Sequence, residues 1–391
     1  MISRQNYVGR EQAYVKHLLL ETYLERLVHK TAKTYDKFSY VEGFAGPWQS
    51  TNERYEDTSF GIALAALRRA KASWRTHGRD VQMYAFLVEQ DQAAFERLQE
   101  FAKTYPDITI RSYRRDFVDV ADTIVGEIPQ DAFSFFFIDP KGWRIPIKSI
   151  ASMLSRPNSE VVFNFMFEFI NRAASIQQNE IVRGLQELIP YGDWRSKLEA
   201  LTDAENTSDR RKEILINAFS ETLERIGQYQ FVAETPIYRP LRDRTLYSLM
   251  FATRHEKGVE VFRDSQVKAL RAQSALRAET KVQTAQRDSG QGEMFASLNE
   301  MQRDETEEFL NDERAAAIHT LANQIPEPPA FAKFGTVMTN VLKRHVVTAV
   351  DVRNIAVTMR GEGRLAFPDW QLRKRVPDSN YRVQRVSERR N

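Results

Sequence analysis

Three acidic residues stand at or just beyond the ends of apolar runs in this chain, and their order is its first chemical signal. The run Phe38 to Val41 ends at Glu42, the run Gln82 to Val88 ends at Glu89, and Asp116 follows the segment 108–112. Glu42 opens the loop Glu42-Gly43-Phe44-Ala45-Gly46-Pro47. Its glycines carry no Cβ, so the backbone can approach a ligand closely. An acid at a strand end can accept hydrogen bonds from an amine or a hydroxyl. Such a loop cradles a nucleoside-like ligand, or it is only a tight strand-to-helix turn. On the first reading Glu42 and the Phe44, Ala45 and Gly46 backbone hold an amino-acid end, Glu89 a ribose and Asp116 an adenine amine. On the second, these acids are caps and turns.

A fourth acid ends the most apolar run of all, Phe133 to Ile138, in the sequence Phe137-Ile138-Asp139-Pro140-Lys141-Gly142-Trp143. A carboxylate and a proline-held carbonyl can accept the hydrogens of a planar amine while an aromatic ring stacks on its base. Asp139, Pro140 and Trp143 are the candidates for those roles. The competing reading makes Asp139 the cap of a helix starting near Pro146 and Trp143 a core residue. Lys16-His17 lies on an amphipathic stretch just before the first run, as a solvated face or as part of the site. Asn164, Asn171 and Arg172 follow a later run and either line the same edge or cap helices.

No G-x-G-x-x-G occurs, and Trp48 stands where a dinucleotide fingerprint needs glycine, so a pyrophosphate ligand is not expected. S-adenosylmethionine has no phosphate and carries a sulfonium beside an α-amino acid. Its site needs carboxylates and one close backbone approach, which matches the residues here. The six His residues show no metal-ligand spacing, and neither a G-x-S-x-G elbow nor a Walker lysine is present. With no Cys, thiolate metal sites, iron-sulfur clusters and thiol catalysis are excluded.

The elements that must position these groups follow from periodicity. Apolar residues at helical spacing predict a helix from Glu11 to about His29, with further helices at 60–74 and 91–105. Strands are predicted at 38–41, 82–88, 108–112, 133–138 and 160–166, with two more at 229–238 and 245–253. Alternating strands and helices imply an α/β fold with a doubly wound, Rossmann-like sheet, which binds its ligands at the carboxyl ends of its strands. Residues 167–226 read as a helical insertion capping one end of that sheet. The expected domains are 1–263, a helical and acidic connector at 264–330, and a basic winged-helix-like module at 331–391.

The 391 residues carry 56 Lys and Arg against 53 Asp and Glu, a balance that hides strong segregation. Residues 291–330 hold nine acids and two bases, whereas 331–391 hold thirteen bases and five acids. Arg373, Lys374, Arg375, Arg382 and Arg385, with Arg389 and Arg390, interleave with Trp370 and Tyr381. That pattern suits a nucleic-acid backbone, a protein-docking face or a solvated surface. No apolar run is long enough for a membrane span and no signal core opens the chain, so a soluble, cytoplasmic protein is expected.

The ordered blocks KHLLLETYL, YVEGFAGP, FLVEQD, FFFIDPKGW, NFMFEFINR and LYSLMFATRHEKG resemble the three-Cys-motif partner proteins, TcmP. The resemblance covers roughly residues 10–265, and the end of the chain is similar to that family's winged-helix-like end. It implies a methyltransferase-like Rossmann fold and a radical-SAM-like partner that would supply the cysteines missing here. Lys141 departs from it, standing where relatives more often carry an aromatic. A fainter resemblance is to ribosomal-RNA adenine methyltransferases, which also place Lys-His on a helix before the binding loop. It implies that Lys16 and His17 touch cofactor or target base. Together these readings give an S-adenosylmethionine-dependent methyltransferase-like protein acting on an exocyclic amine of a nucleic-acid base. The alternative is a non-catalytic nucleic-acid-binding partner of the three-Cys protein.

Overall fold

The computed structural model describes residues 2–46, 50, 55–241, 244–289 and 296–386, and side chains outside 283–304. The chain divides into two compact units, Met1–His255 and Glu256–Asn391.

The first unit is built on seven strands: β1 (Lys37–Glu42), β2 (Gln82–Val88), β3 (Thr109–Tyr113), β4 (Phe133–Ile138), β5 (Ser159–Phe165), β6 (Phe231–Tyr238) and β7 (Thr245–Thr253). Their order is β3-β2-β1-β4-β5-β7-β6, with β7 antiparallel to both of its neighbours and the other pairings parallel. All six residues of β4 are buried, as an interior parallel strand covered on both faces requires. β6 instead alternates buried and half-buried residues, the mark of an edge strand.

Successive side chains of β4 feed opposite faces. Phe135 meets Tyr23 of α1 (Glu11–Thr31), with ring centroids 5.6 Å apart. Phe136 joins the opposite core, which gathers α4 (Phe117–Glu127), the short α5 (Ala151–Leu154) and the helices after β5. Those helices are α6 (Phe167–Ala173), α7 (Asn179–Leu188), α8 (Trp194–Glu199) and α9 (Ser208–Gly227). Phe219 of α9 packs against Phe163 and Phe165 of β5, at 4.9 and 4.7 Å between centroids. The segment expected to cap one end of the sheet therefore covers a face of it. The reason is the apolar stripe of α9, Leu215, Phe219 and Leu223, which must be buried.

Two further helices, α2 (Ser59–Thr76) and α3 (Gln92–Ala102), start just beyond the carboxyl edge of the sheet. Thr58 caps α2 through the Gly61 amide, Asp91 caps α3 through Ala94, and Asp116 caps α4 through Val118. The strand order reverses between β1 and β4, which opens a crevice at their carboxyl ends.

The second unit begins with α10 (Glu256–Ser289) and α11 (Ala296–Gln324), which pack on each other. The composition of this stretch predicts an exposed connector. Val259, Phe262, Val267 and Leu276 of α10 and Leu310, Ala317 and Leu321 of α11 are nonetheless buried. Sparse apolar residues at helical spacing suffice for such a seam. Then follow β8 (Ala332–Lys333), α12 (Phe334–Arg344), α13 (Ala349–Gly361), β9 (Leu365–Ala366) and β10 (Arg382–Arg385). The three strands form an antiparallel sheet in the order β8-β10-β9. A capping box between Thr348 and Asp351 opens α13. Among the described residues, no helix is long and apolar enough to cross a membrane.

Candidate functional site

A cavity of about 700 Å³ lies at the crevice of the first unit. The loop after β1 forms one wall and is fastened across the sheet edge. The Gly43 amide donates to the Phe137 carbonyl at 3.2 Å and the Ala45 amide to that of Val88 at 2.8 Å. Gly43 is required by packing, since a Cβ there would sit 2.8 Å from the Phe117 ring. Gly43, Phe44 and Gly46 line the cavity, whereas Ala45 is fully buried with its amide already used. Pro47 and Trp48 lie outside the described residues.

Glu42 is placed differently from its expected role. It is fully buried and does not line the cavity. Tyr40 donates to Oε2 at 2.7 Å and Ser59 to Oε1. Burial outweighs these bonds and pushes the carboxyl up to about 8. Ser59, at the start of α2, does reach the cavity, so Glu42 can act there only through it.

The carboxylate that faces this end of the cavity is Asp57, which its position in the sequence does not signal. It is 1% exposed and accepts from Arg10 and from Ser50, each at 2.5 Å. Arg10 also donates to the Asn6 carbonyl at 2.7 Å. His17 braces the same corner, with Nδ1 3.0 Å from the Tyr7 hydroxyl. Burial, then the Lys16 and Arg10 charges, hold its pKa well below the usual range, so it stays neutral. Glu89 is buried beside the cavity, its Oε1 accepting from the Asp91 amide at 2.7 Å, and burial raises its pKa. Asp116 also lines the cavity, exposed and with one oxygen spent on its cap.

On the far side of the cavity Asp139 is held between two side chains. Lys16 of α1 pairs with Oδ2, and the Asn164 amide of β5 donates to Oδ1 at 2.5 Å. Tyr247 of β7 sits beside this cluster, its ring 5.8 Å from the Lys16 ammonium and its hydroxyl donating to the Gln12 carbonyl at 2.9 Å. The chain brings together residues 123 positions apart in sequence to make the Lys16 to Asp139 contact. Asp139 does not cap the next helical turn, Ile147–Ile150, which has no side-chain cap.

Pro140, Lys141 and Gly142 line the cavity, but Trp143 does not. Its ring lies against α7, where a Cβ at Gly184 would come within 2.8 Å of it. Trp143 is therefore half-buried against the core, with Arg144 5.5 Å over its ring, and does not offer the stacking surface expected of it in the cavity. The rings that do face the cavity belong to Phe44, Phe117, Phe169 and Tyr247. Of the three polar residues after β5, Asn164 reaches the site, while Asn171 accepts from Arg211 and Arg172 lies over the Phe169 ring.

In the second unit the cations read as a nucleic-acid face separate into two groups. Arg382 forms a two-pronged pair with Asp369, and Arg385 donates to the Ala322 carbonyl at 2.9 Å. Arg373, Lys374 and Arg375 are exposed on the connection between β9 and β10, and no carboxylate among the described residues pairs with them. Arg389 and Arg390 lie outside the described residues.

No family model matches the sequence, and no curated protein does. Among solved structures, a Legionella pneumophila protein of the DUF519 family aligns with a TM-score of 0.36 and 11% identity, covering 61% of this chain and 84% of that one. Loganic acid methyltransferase with SAH aligns at 0.30 and 7%, over 78% of this chain and 90% of that one. The CMeT domain of citrinin polyketide synthase aligns at 0.25 and 13%, over 56% and 46%. At these scores the likenesses assign neither ligand nor substrate.

Proposed function

We propose that the first unit is an S-adenosylmethionine-dependent methyltransferase whose acceptor is an exocyclic amine of a nucleic-acid base. The observation that carries this reading is the position of Asp139. It lines the switch-point cavity beside Pro140, with Lys16 and Asn164 fixing its two oxygens. The volume of about 700 Å³ falls within the roughly 300–1,000 Å³ usual for small-molecule sites. Gly43 keeps the loop close to the sheet edge, and no phosphate-binding glycine run is present, which fits a cofactor without phosphate.

S-adenosylmethionine supplies a methyl group on a cationic sulfur. In this chain Glu89 would accept from ribose hydroxyls and Asp116 from the adenine amine. Arg10 and Asp57 offer opposite charges to the carboxylate and ammonium of the amino-acid end. Asp139 and the Pro140 carbonyl would accept the two hydrogens of the target amine, aiming its lone pair at the methyl carbon. Asp139 would also be placed to take the proton that the methylated amine must lose. Orientation does most of this work, because the amine needs no strong base. Phe44 or Phe169 replaces Trp143 as the ring available to stack on the base.

The alternative, a binding protein that docks a cysteine-bearing radical-SAM-like partner onto nucleic acid, is favoured by two observations: Trp143 packs against α7 outside the cavity, and Lys141 occupies the loop. Titration calorimetry with S-adenosylmethionine tests the enzyme reading. Micromolar binding, lost in Glu89→Ala, is expected; no binding by the wild-type chain would sink it. We propose that 296–386, with its helix, strand, helix, helix and hairpin order, is a winged-helix module that holds the substrate backbone.

A further inference from the structure

α12 presents a polar and cationic stripe that the expected nucleic-acid face does not include. Thr336, Asn340, Lys343 and Arg344 recur at steps of three and four, which places them on one side of the helix, and Lys333, the N-cap residue before it, lines the same cavity. The opposite side, Phe334, Val337, Met338, Val341 and Leu342, is buried. Arg344, Asn340, Thr336 and Lys333 are exposed, and no carboxylate among the described residues pairs with the three cations.

The stripe borders a cavity of about 650 Å³ that contains no acidic residue in its lining. At its base lies Gln324, the last residue of α11, whose amide nitrogen and oxygen are buried without a hydrogen-bond partner among the described residues. Buried polar atoms are normally paired, and the unpaired Gln324 amide nitrogen is a donor in the same lining as three cations, the complement an anionic ligand needs. Lys343 and Arg344 also suit the carboxyl end of a helix. That explanation covers neither Lys333 at the opposite end nor Gln324.

We propose that this face of α12 binds a row of phosphates on a nucleic-acid duplex, a second contact surface beside the β9–β10 connection. This rests on the nucleic-acid part of the function proposed above. The ligand class follows from length. Lys333 and Arg344 are about 16 Å apart along a helix rising 1.5 Å per residue. A stripe of that length reaches more than one phosphate of a duplex strand, one for each of its three cations at most. A single phosphate cannot engage both ends.

The test is the salt dependence of duplex binding by the full chain, followed by fluorescence anisotropy with a labelled DNA duplex and an RNA duplex of the same sequence. Each phosphate neutralised contributes about 0.9 to the slope of log K against log salt. The triple variant Lys333→Gln, Lys343→Gln, Arg344→Gln is expected to lose about 2 to 3 from that slope. Asn340→Glu, an exposed single change that puts a carboxylate mid-stripe, is expected to weaken binding with the fold intact. An unchanged slope in the triple variant together with unchanged affinity in Asn340→Glu overturns the proposal. If Arg373→Gln, Lys374→Gln, Arg375→Gln alone lowers the slope, the α12 surface is wrong and nucleic-acid binding stands. If the wild-type chain binds neither duplex, both fall, while S-adenosylmethionine binding remains separately measurable.

Discussion

Glu42 shows how an acid at a strand end can be buried behind a cavity rather than facing it. Its two oxygens are occupied by Tyr40 and Ser59, and burial raises its pKa from 4.5 to about 8. The folded state therefore binds the proton more tightly than the unfolded chain. This group's contribution to stability is full below about pH 4.5 and is lost as pH rises towards about 8. Glu42→Gln mimics the protonated form, so its urea-unfolding free energy should fall less over that window than the wild type's. Equal slopes would show that Glu42 does not titrate as described. Glu160, buried against Tyr23 and Thr253 and raised to about 7, contributes a slope of the same sign that the variant retains. The sequence marks Glu42, Glu89, Asp116 and Asp139 by their places at strand ends. It gives no such mark to Arg10 and Asp57, whose pairing crosses 47 positions between a helix start and a loop.

At the scale of elements, the strands were legible because each is a short apolar run with β-branched or aromatic residues bounded by turn formers. Phe133 to Ile138 matches its run residue for residue. The helical segment after β5 was visible as helix but not as a covering for the sheet face, since periodicity reveals an apolar stripe and not what buries it. Trp143 shows the same limit. Its spacing from Asp139 fits a stacking role, yet the ring packs half-buried against Gly184 of α7, 41 positions later, and does not line the cavity. Gly43 is the position where the loop's conformation and the core meet. Gly43→Ala should cost about 1–3 kcal/mol by forcing Phe117 to move. It should also weaken S-adenosylmethionine binding, because Phe117 lines the cavity. Unchanged thermal unfolding and unchanged calorimetric affinity would contradict this account of the loop.

For the whole molecule, the near-neutral charge conceals a segregation of acids and bases along the chain. Thirteen bases against five acids fall in 331–391, within the second of the two compact units. The unit boundary at His255 was not legible, because α10 has few apolar residues and they form a narrow seam rather than a broad face. Its partner α11 carries the acidic stretch, so charge marked this region as a linker where packing makes it part of a core. The central claim is that the cavity of the first unit transfers a methyl group to a base amine. The direct measurement is transfer of label from methyl-labelled S-adenosylmethionine to DNA and RNA by the full chain and by Asp139→Ala. The account predicts labelled nucleic acid with the wild type and a loss of about 100-fold or more in the variant, with cofactor affinity retained. Cofactor binding without transfer to either nucleic acid, or equal rates in the two proteins, would contradict it.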